Sequence, residues 1–418
     1  MPDSPTPPGR PSGGMSLDGG ARVVVTGGAA AYDIRDFLSR ASVPFRYLDE
    51  AGPLGVAECT FADGACLTGP TVTDVARQLG LLADPSPAPY DLAVVGAGPA
   101  GLAAAVYAAS EGLRTAVVDE WAPGGQAGSS SRIENYLGFP DGIGGAELAD
   151  RARRQAEKFG AEILMLRQVV NGTIGDRSFE LALSGGGAIT STAVIVATGV
   201  AWRRLDADGA DRLLHAGVYY GAAASEAPGV RGKDVFIVGA GNSAGQAAMN
   251  FAEWAASVTI VSRGSGLSST MSTYLQERIA GTPNVRVEAF AEVTAVHGGD
   301  WLRRITLRHV VTGVAHDVPA HALFICIGGT PRTEWADADG VLTDAQGYLV
   351  TGRDLFDPDL TRPQAPWRGR RDPYPLETSV PGLFAVGDVR HGSTKRVAAA
   401  VGEGAMAVPL VHRFLAER

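Results

Sequence analysis

The sequence predicts an α/β protein carrying two Rossmann-like dinucleotide-binding units. Three observations predict it. Strand and helix patterns alternate from residue 90 onward. Two glycine loops, Gly96-Ala97-Gly98-Pro99-Ala100-Gly101 and Gly239-Ala240-Gly241-Asn242-Ser243-Ala244, each follow an apolar strand and open an alanine-rich helix. Glycine supplies 55 of 418 residues, well above the usual ~7%, and it clusters at motifs.

Charge and cysteine usage narrow the function. The chain has 36 basic and 45 acidic residues, a net charge of −9, which makes it a poor binder of nucleic-acid phosphates. No run of ~18 apolar residues is present, so no membrane span is expected. The cysteines are Cys59, Cys66 and Cys326, and no CxxC occurs. That pattern excludes a zinc ribbon, a local dithiol and a disulfide scaffold, and it fits a reducing, cytoplasmic setting.

Residues 1–20 are rich in Pro, Gly and Ser, lack the features of a signal peptide, and read as a disordered tail. Residues 21–84 read as a small α/β unit. Its expected elements are a strand at Arg22–Val25, a helix at Tyr32–Ala41 with Ile34, Phe37 and Leu38 on one face, and a strand at Pro44–Leu48. A hairpin at Ala57–Thr68, turning at Asp63-Gly64 as type I′, and a helix at Thr71–Leu81 follow. On that register Phe61 faces Cys66 and Cys59 shares their side. Two buried thiols or a diagonal disulfide both satisfy it. Pro85–Pro89 is a linker.

Asp91–Val95 is a buried strand leading into the first loop, with a helix at Leu102–Ser110 and a strand at Thr115–Val118 behind it. Gly96 permits the tight turn, Gly98 lets the backbone approach a pyrophosphate, and Gly101 lets the helix pack close. The helix N-terminus presents N–H groups to an anion. Asp119 ends the second strand, where a carboxylate accepts from an adenosine ribose hydroxyl. The second loop repeats the pattern: strand Asp234–Val238, helix to Ala255, strand Ser257–Val261. Ser262-Arg263 then stands where an acid would bind a free 2′-hydroxyl. Arg263 either meets the 2′-phosphate of NADP or is a solvated surface arginine. Two such loops imply two dinucleotides, and the usual pairing is a bound flavin and a diffusing nicotinamide.

From Tyr90 to Arg418 the chain resembles the low-molecular-weight thioredoxin reductase family of FAD- and NADPH-dependent flavoproteins. The resemblance rests on GAGPAG (96–101), GGQAGSSSRIENYLGFP (124–140), VATG (196–199), RGKDVFIVGAGNSA (231–244), FICIGGTP (324–331) and TSVPGLFAVGDVRHGSTKRVA (378–398), in family order. It implies two three-layer ββα units, the second inserted in the first: FAD-binding parts at 85–205 and 328–418 around an NAD(P)-binding part at 206–327. It implies hinges near Gly199–Leu205 and Gly328–Pro331, because the inserted part must rotate, and a homodimer.

By position, the resemblance places Gly96, Gly98, Pro99, Ala100 and Gly101 on the FAD pyrophosphate and Asp119 on its ribose. Gly125 and Gln126 fall by the ribityl chain and ring, Asn135 on the flavin side of its loop, and Ala197, Thr198 and Gly199 at the strand crossing. Gly387 and Asp388 meet the ribitol hydroxyls, and Lys395, Arg396 and Val397 follow the ring edge. A cation there stabilises an anionic reduced flavin; the other reading of Lys395 and Arg396 is a salt-bridged loop. NADPH or NADH would fall to Gly239, Gly241, Asn242, Ser243, Ala244 and Arg263.

The chain departs from the family where the redox CxxC belongs. The two cysteine positions fall on Gly221 and Ala224 in GVYYGAAASE (217–226), so no electrons can pass to an internal disulfide. Ser225 replaces the acid that follows, with Glu226 one place later. Gly264 and Ser268 replace two arginines of the 2′-phosphate cluster. The N-terminal unit resembles a degenerate glutaredoxin- or thioredoxin-like fold, and its strand–helix junction, Thr26–Tyr32, also lacks cysteine.

These features lead to an FAD-dependent oxidoreductase that takes hydride from NAD(P)H and delivers electrons to an external small-molecule or protein acceptor. Tyr219 and Tyr220 then line the opened flavin face or pack in the core. One alternative is a substrate-oxidising flavoenzyme with oxygen as acceptor. Glu226 and His391 are its possible bases, against readings as a helix-start acid and a loop histidine. Another is a non-catalytic, redox-responsive interaction protein. Arg368, Arg370 and Arg371, in the insertion 353–375, either meet an acidic partner or phosphate or belong to a solvated cover loop. Cys326 reads as a buried core thiol.

Overall fold

The computed structural model describes residues 20–48, 55–130, 132–175, 177–221, 226–267, 271–336, 340–357, 359–360, 367 and 369–418. Residues 1–19 of the expected tail, Ala224, Ser225, Ser268 and Arg368 lie outside the described residues. The chain divides into a compact unit ending at Leu79 and a larger one beginning at Gly80.

The first unit contains β1 (Val23–Thr26), α1 (Tyr32–Arg40), β2 (Phe45–Leu48), β3 (Glu58–Phe61), β4 (Cys66–Thr68) and α2 (Val72–Gln78). Its sheet runs β2-β1-β3-β4, with β1–β2 parallel and the other pairs antiparallel. The apolar face of α1, Ile34, Phe37 and Leu38, is buried as its spacing requires. Thr71 and Asp74 form a reciprocal capping box at the start of α2. This helix stops earlier than expected, because Gly80 takes left-handed backbone just past its end.

The hairpin corrects the sequence reading. Only Gly64 of the turn pair has positive φ (87°), so the turn is not type I′. The register places Cys66 opposite Thr60 and Cys59 opposite Leu67. The two thiols therefore face opposite sides of the sheet. Cys59 is buried and Cys66 exposed, and both are free. Burial pushes the Cys59 and Cys326 thiols up to about 12, so neither forms thiolate near neutral pH. Alkylation of the native protein at pH 8 should label one cysteine per chain, Cys66. Peptide mass mapping that finds Cys59 or Cys326 labelled at a comparable rate would contradict the register.

The second unit is built on two parallel-centred sheets. The larger draws β5 (Tyr90–Val95), β6 (Thr115–Val118), β7 (Glu162–Leu164), β8 (Val169–Ile174), β9 (Phe179–Leu183), β10 (Ala188–Val196) and, much later, β21 (Leu383–Ala385). Its order is β7-β6-β5-β10-β9-β8, with β21 on β10. Strands β5, β6, β7, β10 and β21 run parallel, and β8–β9–β10 close as an antiparallel meander. Helices α3 (Pro99–Ser110), α4 (Gly145–Lys158) and α7 (Val397–Ala416) belong with this sheet.

Between β10 and β21 the chain builds the second sheet, order β12-β19-β13-β14-β15, entirely parallel. Its strands are β12 (Val218–Tyr220), β13 (Asp234–Val238), β14 (Ser257–Val261), β15 (Val285–Glu288) and β19 (Ala322–Ile325). Helices α5 (Asn242–Ala252) and α6 (Thr273–Ala280) accompany them. A three-stranded antiparallel sheet, β16 (Ala291–Gly298), β17 (Leu302–His309) and β18 (Ala315–Pro319), completes this part. Two corrections are local. Helix α3 begins at Pro99 rather than Leu102, because proline fits the first helical position. Helix α5 ends at Ala252 rather than Ala255. The two crossings between the nested parts pair with each other as β11 (Val200–Trp202) and β20 (Gly329–Pro331), an antiparallel ribbon at the positions expected to hinge. No helix among the described residues is long and apolar enough to cross a membrane.

Candidate functional site

Four separated segments meet at the first glycine loop, and missing side chains are what allow it. A Cβ on Gly96 would lie 2.4 Å from the Ala197 carbonyl oxygen, so the loop crosses directly over the end of β10. A Cβ on Gly101 would lie 1.8 Å from the Gly96 oxygen, which locks the first turn of α3 onto the loop. Gly387 approaches the Ala100 side chain, and Gly404 of α7 approaches the Ala100 carbonyl; built Cβ atoms would fall 2.9 and 2.1 Å away. Gly98 differs. Its built Cβ has no neighbour nearer than the Gly125 Cα at 4.0 Å. The chain itself does not require glycine there, whereas a pyrophosphate lying across the N-terminus of α3 does.

Unsatisfied polar groups gather around the same loop. Thr198 Oγ1 is buried without a hydrogen-bond partner. The Asp388 carboxylate has none among the described residues, and burial holds its pKa above the usual aspartate value. Open space at Gly98, an orphaned hydroxyl and an uncommitted carboxylate fit the phosphates and hydroxyls of a dinucleotide. Asp119 is more occupied than expected: its Oδ2 accepts from the Ala97 amide at 2.7 Å and its Oδ1 from the Trp121 amide at 2.9 Å. It holds the loop's entry. Asn135 is exposed on the 132–140 loop. Gln126 Nε2 donates to the Val200 carbonyl at 2.6 Å, tying its turn to β11.

The C-terminal edge of the site is held in part by residues the sequence reading passed over, Glu403, Arg390, Asp344 and Tyr348. Glu403 accepts from the Gly387 amide at 2.7 Å and pairs with both ends of the Arg390 guanidinium. Lys395 donates to the Asp388 carbonyl at 2.5 Å and lies 4.2 Å from the Tyr348 ring centre. Burial holds its pKa below the usual lysine value. Arg396 bonds the Lys395 carbonyl and is exposed just before α7, which opens at Val397. His391 is half-buried rather than a free loop residue, its Nδ1 2.6 Å from the Asp344 carboxylate. Asp344 is fixed in turn by the Gln346 and Tyr348 amides. No periodic signal announces the Glu403 and Asp344 pairs, which span 16 and 47 residues of chain.

The second loop repeats the first. A Cβ on Gly239 would lie 2.3 Å from the Cys326 carbonyl at the end of β19. Asn242 Oδ1 accepts from the Ser272 amide at 2.9 Å, and Ala244 is fully buried. Ser243 is exposed in the first turn of α5, beside Gly241. Arg263 is exposed at the end of β14 and bonds no described residue. Ser262 Oγ, bridging the Gly264 amide and Gly266 carbonyl, shapes the loop that carries it.

Tyr219 stacks on Phe324, ring centres 5.1 Å apart, and Phe324 on Phe251 at 4.0 Å. It is core, worth about 0.5–1.5 kcal/mol per aromatic pair beyond area burial. The Tyr220 hydroxyl accepts from the Leu205 amide at 2.9 Å and so braces a crossing segment. Glu226 is buried. Gly221, the first expected cysteine position, has a φ of +78°, and its built Cβ would lie 3.1 Å from Trp202 Cζ2 and 3.3 Å from Ser129 Oγ. Ser129 Oγ donates to the Gln126 carbonyl at 2.7 Å. The segment at Gly221 therefore abuts the turn that carries Gln126. Nearby, Glu134 joins the two nested parts by accepting from Arg278 and from the Tyr274 hydroxyl.

Two nested Rossmann-like units, each with a glycine loop at a helix N-terminus, define the architecture of an oxidoreductase handling two dinucleotides. The family model for pyridine nucleotide-disulphide oxidoreductases matches residues 90–404, and the chain belongs to that family. It is 34% identical over 323 residues to the thioredoxin reductase of Treponema pallidum, covering 76% of this chain and 94% of that one. It is 30% identical over 341 residues to an alkyl hydroperoxide reductase subunit from Staphylococcus epidermidis, covering 81% of this chain. The match spans only 62% of that relative's length. Among solved structures, the thioredoxin reductase of Lactococcus lactis, in its FR conformation, superposes with a TM-score of 0.69 at 26% identity. That match covers 79% of this chain and all of the other. The thioredoxin reductase of T. acidophilum gives 0.67 at 27% identity, covering 78% and 98%.

Proposed function

We propose that the protein is an FAD-dependent oxidoreductase that takes electrons from NADPH and passes them to an acceptor outside the chain, with no sulfur relay. Residues 85–205 and 328–418 would hold FAD, and residues 206–327 the nicotinamide nucleotide. The observation that carries the reading is Gly221: left-handed backbone pressed against Trp202 and Ser129 where the family's first redox cysteine would stand, in a sequence without CxxC. FAD supplies two-electron chemistry when bound. Gly98 and the first turn of α3 would cradle its pyrophosphate, and Thr198 and Asp388 would take its hydroxyls. Lys395, fixed by Asp388 and Tyr348, would place positive charge at the ring edge.

Anaerobic mixing of the holoprotein with NADPH tests this. Rapid bleaching of the flavin, followed by recovery on adding a chemical acceptor, is the expected result; no bleaching with NADPH or NADH overturns it. Arg263→Ala should raise KM for NADPH roughly tenfold, the worth of one charge-assisted phosphate contact, and leave KM for NADH within about twofold. Equal effects on both nucleotides would remove Arg263 from 2′-phosphate recognition. One observation favours the substrate-oxidising reading: a buried carboxylate orients His391, as it would a general base. The same experiment separates the two, since that reading requires a flavin unresponsive to nicotinamide.

A further inference from the structure

We infer that Trp202 selects the external acceptor, and that this acceptor is a planar quinone. The inference rests on the proposed reading of the protein as a flavin oxidoreductase without a sulfur relay.

Trp202 ends β11 and is half-buried. Its benzenoid edge, Cζ2 and Cη2, stands 3.1 and 3.5 Å from the place a Cβ at Gly221 would take. The indole edge thus crowds the position a side chain at 221 would take. Across the β11–β20 ribbon its register partner is Gly329, which offers no side chain to cover the ring. Gly329 cannot readily be larger, because a Cβ there would fall 2.3 Å from the Ala201 carbonyl. The strand is anchored by the Gln126 bond to Val200. The result is a fixed aromatic surface that its ladder partner leaves without a covering side chain, against the turn that the resemblance places by the flavin ring.

The chemistry of that surface is selective. An indole stacks on flat conjugated systems, and its N–H is a donor only. Trp202 Nε1 has no hydrogen-bond partner among the described residues. Ser129 Oγ already donates to the Gln126 carbonyl, so it offers lone pairs rather than a proton. A stacking face with one donor at its rim suits a ring carrying carbonyl oxygens. A quinone also balances the reaction: NADPH gives up two electrons and one proton, and the quinone takes two electrons and two protons, the second from solvent. The products are NADP⁺ and a hydroquinone.

The test uses the full-length holoprotein and menadione, a compact naphthoquinone. Trp202→Ala should weaken menadione binding to the oxidised holoprotein roughly tenfold, read as perturbation of the flavin absorption band. It should raise KM for menadione similarly, while flavin bleaching by NADPH, bound flavin content and ferricyanide reduction stay within twofold. Trp202→Phe should keep most of the binding. Unchanged menadione binding and KM in Trp202→Ala would overturn the inference. So would an equal loss with menadione and ferricyanide, which would mark Trp202 as packing only. If the wild-type flavin is not bleached by nicotinamide, the proposed function fails, and the binding titration still decides the role of Trp202.

Discussion

Gly98→Val should yield a folded protein that does not retain FAD. Gly98 has extended backbone, φ −71° and ψ −178°, which valine adopts readily. Its side chain would enter space where the nearest described atom is 4.0 Å from the Cβ. Loss of the preferred helix N-cap costs about 1 kcal/mol, a few degrees of Tm. The cofactor loses far more, because the N–H groups at the start of α3 could no longer be reached. Two charge-assisted contacts at about 1.5–3 kcal/mol each amount to a weakening of roughly a hundredfold or more. Gly101→Ala makes the control: its Cβ would fall 1.8 Å from the Gly96 oxygen, so the apoprotein itself should be destabilised. Flavin-to-protein ratio after gel filtration and apoprotein Tm give both readouts. Stoichiometric FAD in Gly98→Val would show that the dinucleotide does not cross this loop.

Arg371→Met should destabilise the fold by about 3 kcal/mol, because it strands a buried charge. Glu377 is fully buried and accepts from Arg371 Nη1 at 2.6 Å, Nη2 at 3.0 Å and the Tyr374 and Gly382 amides at 2.9 Å. The guanidinium reaches on to Glu417 at 2.7 Å and stacks 3.8 Å from the Tyr374 ring centre. Its side chain is 25% exposed, which places the expected loss at the lower end for buried pairs. Adding Glu377→Gln should restore part of it, since the amide oxygen still accepts from the backbone and no charge remains. Denaturant unfolding of the single and double variants measures both. A single-variant loss below about 1 kcal/mol would mean that water already compensates Glu377. The same clamp settles one sequence-level choice: Arg371 is a structural tie rather than a free cation awaiting a partner.

The sequence was most informative where chemistry and local structure coincide. The turn at Gly96, the close helix at Gly101 and the repeat at Gly239 follow from backbone geometry within a few residues, and so does the face of α1 bearing Ile34, Phe37 and Leu38. The hairpin failed by one residue. A shift of one in register turns Cys66 from the core to solvent, and nothing in Asp63-Gly64 alone specifies the turn type. The supports of the site were illegible for another reason. Glu403 at the Gly387 amide, Asp344 at His391 and Trp202 at Gly221 are contacts between distant segments with no periodic pattern. The sequence left Tyr219 two environments and leaned to the core; the stack on Phe324 and Phe251 places it in the interior.

The backbone at Gly221 has a consequence for engineering. Cysteine there would have to adopt a conformation that L-residues rarely take and would crowd the Trp202 edge by a few tenths of an ångström. A single Gly221→Cys change should therefore begin with a less stable protein. A dithiol grafted at this place calls for paired changes, with position 202 trimmed first.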